Sequence, residues 1–65
     1  MSLIVNGAPH DIAPGTLAEA LDLLGYAEAI VATAVNGDFV PAEARAETRL
    51  ADGDRIEILA PMQGG

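Results

Sequence analysis

The sequence predicts an α+β fold in two layers: a mixed sheet of about five strands with one helix packed on one face. Three observations predict it. Asn6-Gly7 and Asn36-Gly37 each lie between β-prone runs, and Asn-Gly is the strongest short-range signal for a two-residue hairpin. Between them, Thr16 to Glu19 reads T-x-x-E, a capping box that opens a helix. After Asp52-Gly53, the stretch Arg55 to Leu59 alternates in polarity with the period of a strand.

Taken in chain order, Leu3-Ile4-Val5 is a short strand and His10-Asp11-Ile12 its return, broken by Pro14-Gly15. In the capping box the Thr16 hydroxyl accepts from the Glu19 backbone N–H, and the Glu19 carboxylate reaches back toward the cap. Leu17, Leu21 and Leu24 form one apolar stripe with Ala20 beside it, and Gly25 is the residue that stops the helix. A helix this short is not stable alone in water, so its leucines are expected to pack on the sheet. Ala29 to Val35 is apolar and reads as a buried strand, with both faces apolar and hence no assignable parity. Phe39-Val40 returns from the second hairpin and ends at Pro41. Ala42 to Arg49 alternates in charge sign; of a helical turn and an irregular crossover, the crossover is favoured. The last strand, Arg55 to Leu59, places Ile56 and Ile58 on one face and Arg55, Glu57 and Leu59 on the other.

Composition narrows the function classes. Sixty-five residues make one small domain. A domain of this size buries about 60% of its unfolded surface, which leaves little room for an internal catalytic cleft. No apolar run approaches the roughly 20 residues of a membrane span. Met1-Ser2-Leu3-Ile4 lacks the basic n-region of a signal peptide, so a cytoplasmic location is expected. Cysteine is absent, which excludes disulfides, thiol nucleophiles and Cys metal sites. The basic residues are Arg45, Arg49 and Arg55, and the net charge is −7. That charge disfavours nucleic acid and anionic membrane and favours a partner with a basic face; solubility alone accounts for it equally well.

Single residues add little chemistry. His10 has no companion ligands, so neither a metal site nor a base is read there. Asp52-Gly53-Asp54 lacks the further oxygens a calcium loop needs and reads as a plain turn. Leu17, Leu21 and Leu24 read as core. The remaining feature is the end of the sequence. Ala60 to Gly65 reads as an extension beyond the last strand, with Pro61 forbidding further ladder pairing through its nitrogen. The expected division is a domain over residues 1–60 and a flexible tail over 61–65. Gly64-Gly65 places a terminal carboxylate on a backbone without side chains, which suits entry into a narrow partner tunnel.

Three stretches together resemble a known family. They are Val35-Asn36-Gly37-Asp38-Phe39-Val40-Pro41, then Leu50-Ala51-Asp52-Gly53-Asp54-Arg55-Ile56-Glu57-Ile58-Leu59, and finally Met62-Gln63-Gly64-Gly65. In this order and at this length they are similar to the ubiquitin-like β-grasp sulfur carriers of thiamine biosynthesis, the ThiS family. Family members often carry Arg directly after the Pro and an aromatic three residues later; these positions here hold Ala42 and Arg45, and Arg45 is a candidate to supply that charge to a partner.

The resemblance implies a ubiquitin-like β-grasp fold and a protein co-substrate rather than an enzyme. It implies that a ThiF-like adenylyltransferase consumes ATP to convert the Gly65 carboxylate to an acyl-adenylate. A sulfur donor bearing a persulfide would then replace AMP and leave a thiocarboxylate, whose sulfur a ThiG-like thiazole synthase takes into the thiazole ring. No cofactor is expected to be bound by the chain itself. Gln63, Gly64 and Gly65 would thread the partner's active site. Phe39, Leu59, Pro61 and Met62 would form the docking patch beside the tail, with a core role for Phe39 as the competing reading. Three other functions stay open: the small subunit of molybdopterin synthase, a ubiquitin-like modifier joined through Gly65 to lysines, and a β-grasp interaction module.

Overall fold

The computed structural model describes residues 1–60. β1 (Ser2–Val5) and β2 (Ala8–Asp11) form an antiparallel hairpin, as do β3 (Ala32–Val35) and β4 (Asp38–Val40). Both turn where expected. Asn6 and Gly7 have φ of 51° and 84°, and Asn36 and Gly37 have 51° and 89°, which is the doubly left-handed path of a type I′ turn. Asn tolerates that region better than other side chains, and glycine enters it freely.

β5 (Arg55–Leu59) lies between the hairpins and completes a five-stranded sheet of order β2-β1-β5-β3-β4. It runs parallel to β1 through Ile4↔Arg55 and Val5↔Ile56, and antiparallel to β3 from Val35↔Ile56 to Ala32↔Leu59. The last described strand is therefore the central one, and the chain leaves the sheet from its middle.

Helix α1 (Leu17–Leu23) covers one face. The Thr16 hydroxyl accepts from the Glu19 N–H at 3.3 Å. The Glu19 carboxylate accepts from the Gly15 N–H at 2.6 Å, one residue earlier than the capping box places it. At the other end Gly25 (φ 89°) donates to the Asp22 carbonyl and Tyr26 to the Leu21 carbonyl, the paired bonds of a Schellman motif. The helix entrance is also tied across the domain: Leu17 N–H donates to the Thr48 carbonyl at 2.8 Å and Leu50 N–H to the Gly15 carbonyl at 3.2 Å. Leu17, Ala20 and Leu21 meet Leu3, Val5, Val40, Leu50, Ile56 and Ile58 in one core, with Leu24 partly buried at its edge. Strand alternation sends those sheet residues inward and leaves the opposite face uncovered by any described element.

Three expectations need correction. The strand read over Ala29 to Val35 begins at Ala32, because β5 ends opposite Ala32 and offers no partner to earlier residues. Its parity is set by Thr33, which is buried, while Ile30 is 83% exposed. The segment Ala42–Glu47 is a 3-10 helix, not an irregular crossover. Its start and end are marked by i→i+3 bonds, Ala44 N–H to the Pro41 carbonyl at 2.9 Å and Thr48 N–H to the Arg45 carbonyl at 3.3 Å. His10, expected on an exposed strand position, is half-buried, because it sits opposite Leu3 and so takes the core side of β2.

Candidate functional site

The uncovered face of the sheet carries the candidate site. Paired residues share a face, so Phe39, Ala34 and Glu57 lie in one row, Ala32 and Leu59 in the next. Phe39 is 69% exposed and Leu59 is 67% exposed. Of the four residues expected in a docking patch, Phe39 and Leu59 therefore stand on the open surface, and the core reading of Phe39 is excluded. A shallow hollow of about 110 Å³ lies between them, floored by Ala32 and Ala34.

A second apolar hollow, about 300 Å³, continues past the end of β5 and is lined by Ile30, Val31, Ala32, Leu59 and Ala60. Ile30 thus extends the exposed apolar surface along the route the chain takes out of the sheet. Sequence reasoning missed it, because an apolar residue in an apolar run reads as core. The one available signal was position: Ile30 precedes the stretch that β5 is long enough to pair. Three large exposed apolar residues, Ile30, Phe39 and Leu59, gathered on one face do not suit a purely solvated surface. Such a patch is the ordinary mark of a contact site.

Two carboxamides fix β5 within this surface. Asn36 Oδ1 accepts from the Arg55 N–H at 3.0 Å, and its Nδ2 donates to an Asp54 carboxylate oxygen at 3.1 Å. Asn6 Oδ1 accepts from the Ile58 N–H at 2.8 Å, and its Nδ2 donates to the Ile58 carbonyl at 3.1 Å. The Asp52-Gly53-Asp54 turn is structural as expected. Asp52 accepts from the Ser2 N–H at 2.5 Å, Asp54 accepts from the Ala51 N–H at 2.8 Å, and Gly53 takes a φ of 88°.

Arg45 has a different place from the one the family pattern suggests. Its guanidinium donates from Nε to the Thr33 hydroxyl at 3.1 Å and from Nη2 to the Val31 carbonyl at 2.5 Å. The Thr33 hydroxyl in turn donates a hydrogen bond to the Val40 carbonyl at 2.9 Å. Arg45 therefore pins the 3-10 helix to the segment that carries Ile30, and its donors are turned into the domain.

Among the described residues there is no cluster of three metal-ligating side chains. The hollows are open surface depressions rather than enclosed cavities. Among the described residues, no helix is long and apolar enough to cross a membrane. Pro61, Met62, Gln63, Gly64 and Gly65, expected in the patch and the tail, lie outside the described residues.

Comparison with known proteins adds to this geometry. The family model described as the ThiS family matches residues 3–65. A solved structure, the thiamine biosynthesis protein (ThiS) from Geobacter metallireducens, is 36% identical, with all of both chains covered and a TM-score of 0.83. The helix-on-mixed-sheet arrangement is thus the ubiquitin-like β-grasp. No curated protein matches the chain.

Proposed function

The chain belongs to the ThiS family, and on that premise we propose that it is a sulfur carrier for thiamine biosynthesis, a co-substrate whose terminal glycine is the reactive group. The observation that carries the reading is the exposed apolar surface of Phe39, Ile30 and Leu59, gathered where β5 delivers the chain to its final residues.

A carboxylate is a poor electrophile, so the Gly65 carboxylate must first be activated. Attack of its oxygen on the α-phosphate of ATP, in the active site of a ThiF-like adenylyltransferase, releases pyrophosphate and makes a mixed anhydride with a good leaving group. The outer sulfur of a persulfide-bearing donor then attacks the acyl carbon and expels AMP, and a thiol reductant cleaves the resulting acyl disulfide, leaving a disulfide on the thiol side and the thiocarboxylate on the carrier. That anionic sulfur is the nucleophile that a ThiG-like thiazole synthase takes up. Gln63 and Gly64 are the residues that thread the partner's tunnel. The patch of Phe39, Leu59, Pro61 and Met62, with Ile30 added, docks the domain. The chain's lack of Cys removes an internal thiol that would attack the activated acyl group.

Intact-mass measurement on protein purified from producing cells tests this. The expected product has one oxygen replaced by sulfur, and deletion of Gly65 abolishes it while leaving the melting temperature unchanged. Recovery of conjugates to other proteins, with no sulfur-bearing form, would replace the carrier by a ubiquitin-like modifier.

A further inference from the structure

β1 and β5 pair in parallel over a short register, Ile4↔Arg55 and Val5↔Ile56, and then β1 turns away at Asn6-Gly7. β5 continues for three more residues, Glu57, Ile58 and Leu59. On the β3 side this extension is paired as far as Leu59. On the β1 side the ladder is supplied by backbone bonds from Ile4 N–H to the Asp54 carbonyl at 3.0 Å and from Asn6 N–H to the Ile56 carbonyl at 2.9 Å. The next step has no backbone partner left in β1. The Asn6 carboxamide fills it, accepting from Ile58 N–H at 2.8 Å and donating to Ile58 C=O at 3.1 Å.

We propose that Asn6 is a positioning residue: its carboxamide stands in for the next peptide of β1, and so fixes the direction in which β5 hands the chain to its C-terminal tail. A carboxamide is a side-chain copy of a peptide group, with one acceptor and a donor in a fixed plane. Aspartate copies the shape but has no donor when ionised, and its oxygen would face the Ile58 carbonyl. Asn6 also holds a φ of 51°, which Asn, Asp and Gly accept more readily than other residues. The position therefore combines a backbone demand with a hydrogen-bond demand, and Asn meets both. Asn36 makes a similar clamp on Arg55 at the other end of the strand, far along the chain from the tail. That symmetry supplies an internal control.

The inference rests on the carrier reading above, because a fixed exit direction matters for a tail that must enter an active site. The effect on turnover is expected to be large, since a misplacement of about 1 Å costs on the order of 100-fold in a well-oriented reaction. Spread over the residues between Leu59 and Gly65, the expected loss is about tenfold.

The test compares Asn6→Gly and Asn6→Asp with Asn36→Gly. Both Asn6 variants keep access to the left-handed backbone, so the turn survives. Hydrogen exchange by NMR is expected to show Ile58 protection falling about tenfold in Asn6→Gly, the loss of one hydrogen bond, whereas Asn6→Asp keeps an acceptor for the Ile58 N–H and loses the bond to the Ile58 carbonyl. Residual dipolar couplings at Leu59 are expected to change in the Asn6 variants and not in Asn36→Gly. With a ThiF-type adenylyltransferase and ATP, pyrophosphate release should show kcat about tenfold lower for the Asn6 variants, with KM within about twofold. Equal kcat losses for Asn6→Gly and Asn36→Gly, or unchanged kcat once Ile58 protection is gone, would overturn the proposal. Failure of the wild-type chain to be adenylated would instead strike the functional reading. The Leu59 couplings then still decide: unchanged couplings in Asn6→Gly overturn the latch, and altered couplings sustain it.

Discussion

Replacing Arg45 by alanine separates two roles that the sequence leaves entangled. If its charge faced a partner, the substitution would weaken association and leave stability alone. The structure turns both donors inward, onto the Thr33 hydroxyl at 3.1 Å and the Val31 carbonyl at 2.5 Å. Hydrogen bonds from charged groups contribute about 1.5–3 kcal/mol each when well buried. This guanidinium is half-buried, so water replaces part of what is lost, and the discounted total is about 2 kcal/mol. A domain of this length has a total stability of roughly 3–10 kcal/mol, so the loss is a large fraction of it. At about 4–8 °C per kcal/mol for a small domain, the melting temperature should fall by about 8–16 °C. Urea titration followed by circular dichroism gives the free energy directly, with an unchanged slope showing that the same cooperative unit unfolds. Arg45→Lys should recover about half, because an ammonium on a flexible stem serves one acceptor better than two. An Arg45→Ala domain within about 0.5 kcal/mol of wild type, with weakened partner binding, would refute the inward clamp.

Other outcomes follow from the same geometry. Leu17 is fully buried, so Leu17→Ala should cost about 2–5 kcal/mol and leave a measurable unfolded fraction at 25 °C by circular dichroism. Ile30→Glu should change stability by less than about 0.5 kcal/mol, since the side chain is exposed, yet weaken binding to an adenylating partner about tenfold in calorimetry. With a net charge of −7, association with a basic partner face should slow as salt is raised in stopped-flow measurements; salt-insensitive rates would reduce the acidity to a solubility device.

What the sequence made legible is local. The type I′ turns at Asn6-Gly7 and Asn36-Gly37, the cap at Thr16 and the stop at Gly25 are each determined by a few adjacent residues with special backbone needs. The inward parity of Ile56 and Ile58 was readable because Arg55 and Glu57 alternate with them. The same alternation put Leu59 on the face opposite Ile56 and Ile58, while for Phe39 a patch role and a core role both stood until the register placed it outside. What stayed hidden is long-range. Asn6 meets Ile58 across 52 residues of sequence, and no local pattern announces that contact. Arg45 meets Val31 and Thr33 because the 3-10 helix happens to lie against them. Ile30 was misread because apolarity marks both cores and contact surfaces.

The placement of β5 at the centre of the sheet has a consequence for biogenesis. β1 and β3 each border β5 and do not border one another, so before β5 emerges the two hairpins have nothing joining them into a single sheet. Translation makes β5 after every other described element. The nascent chain therefore holds two separate hairpins and a short helix without a shared floor, none of them stable in isolation. Assembly of the single sheet waits until β5 has been made, and a product that stops short of β5 has no strand to join its two hairpins.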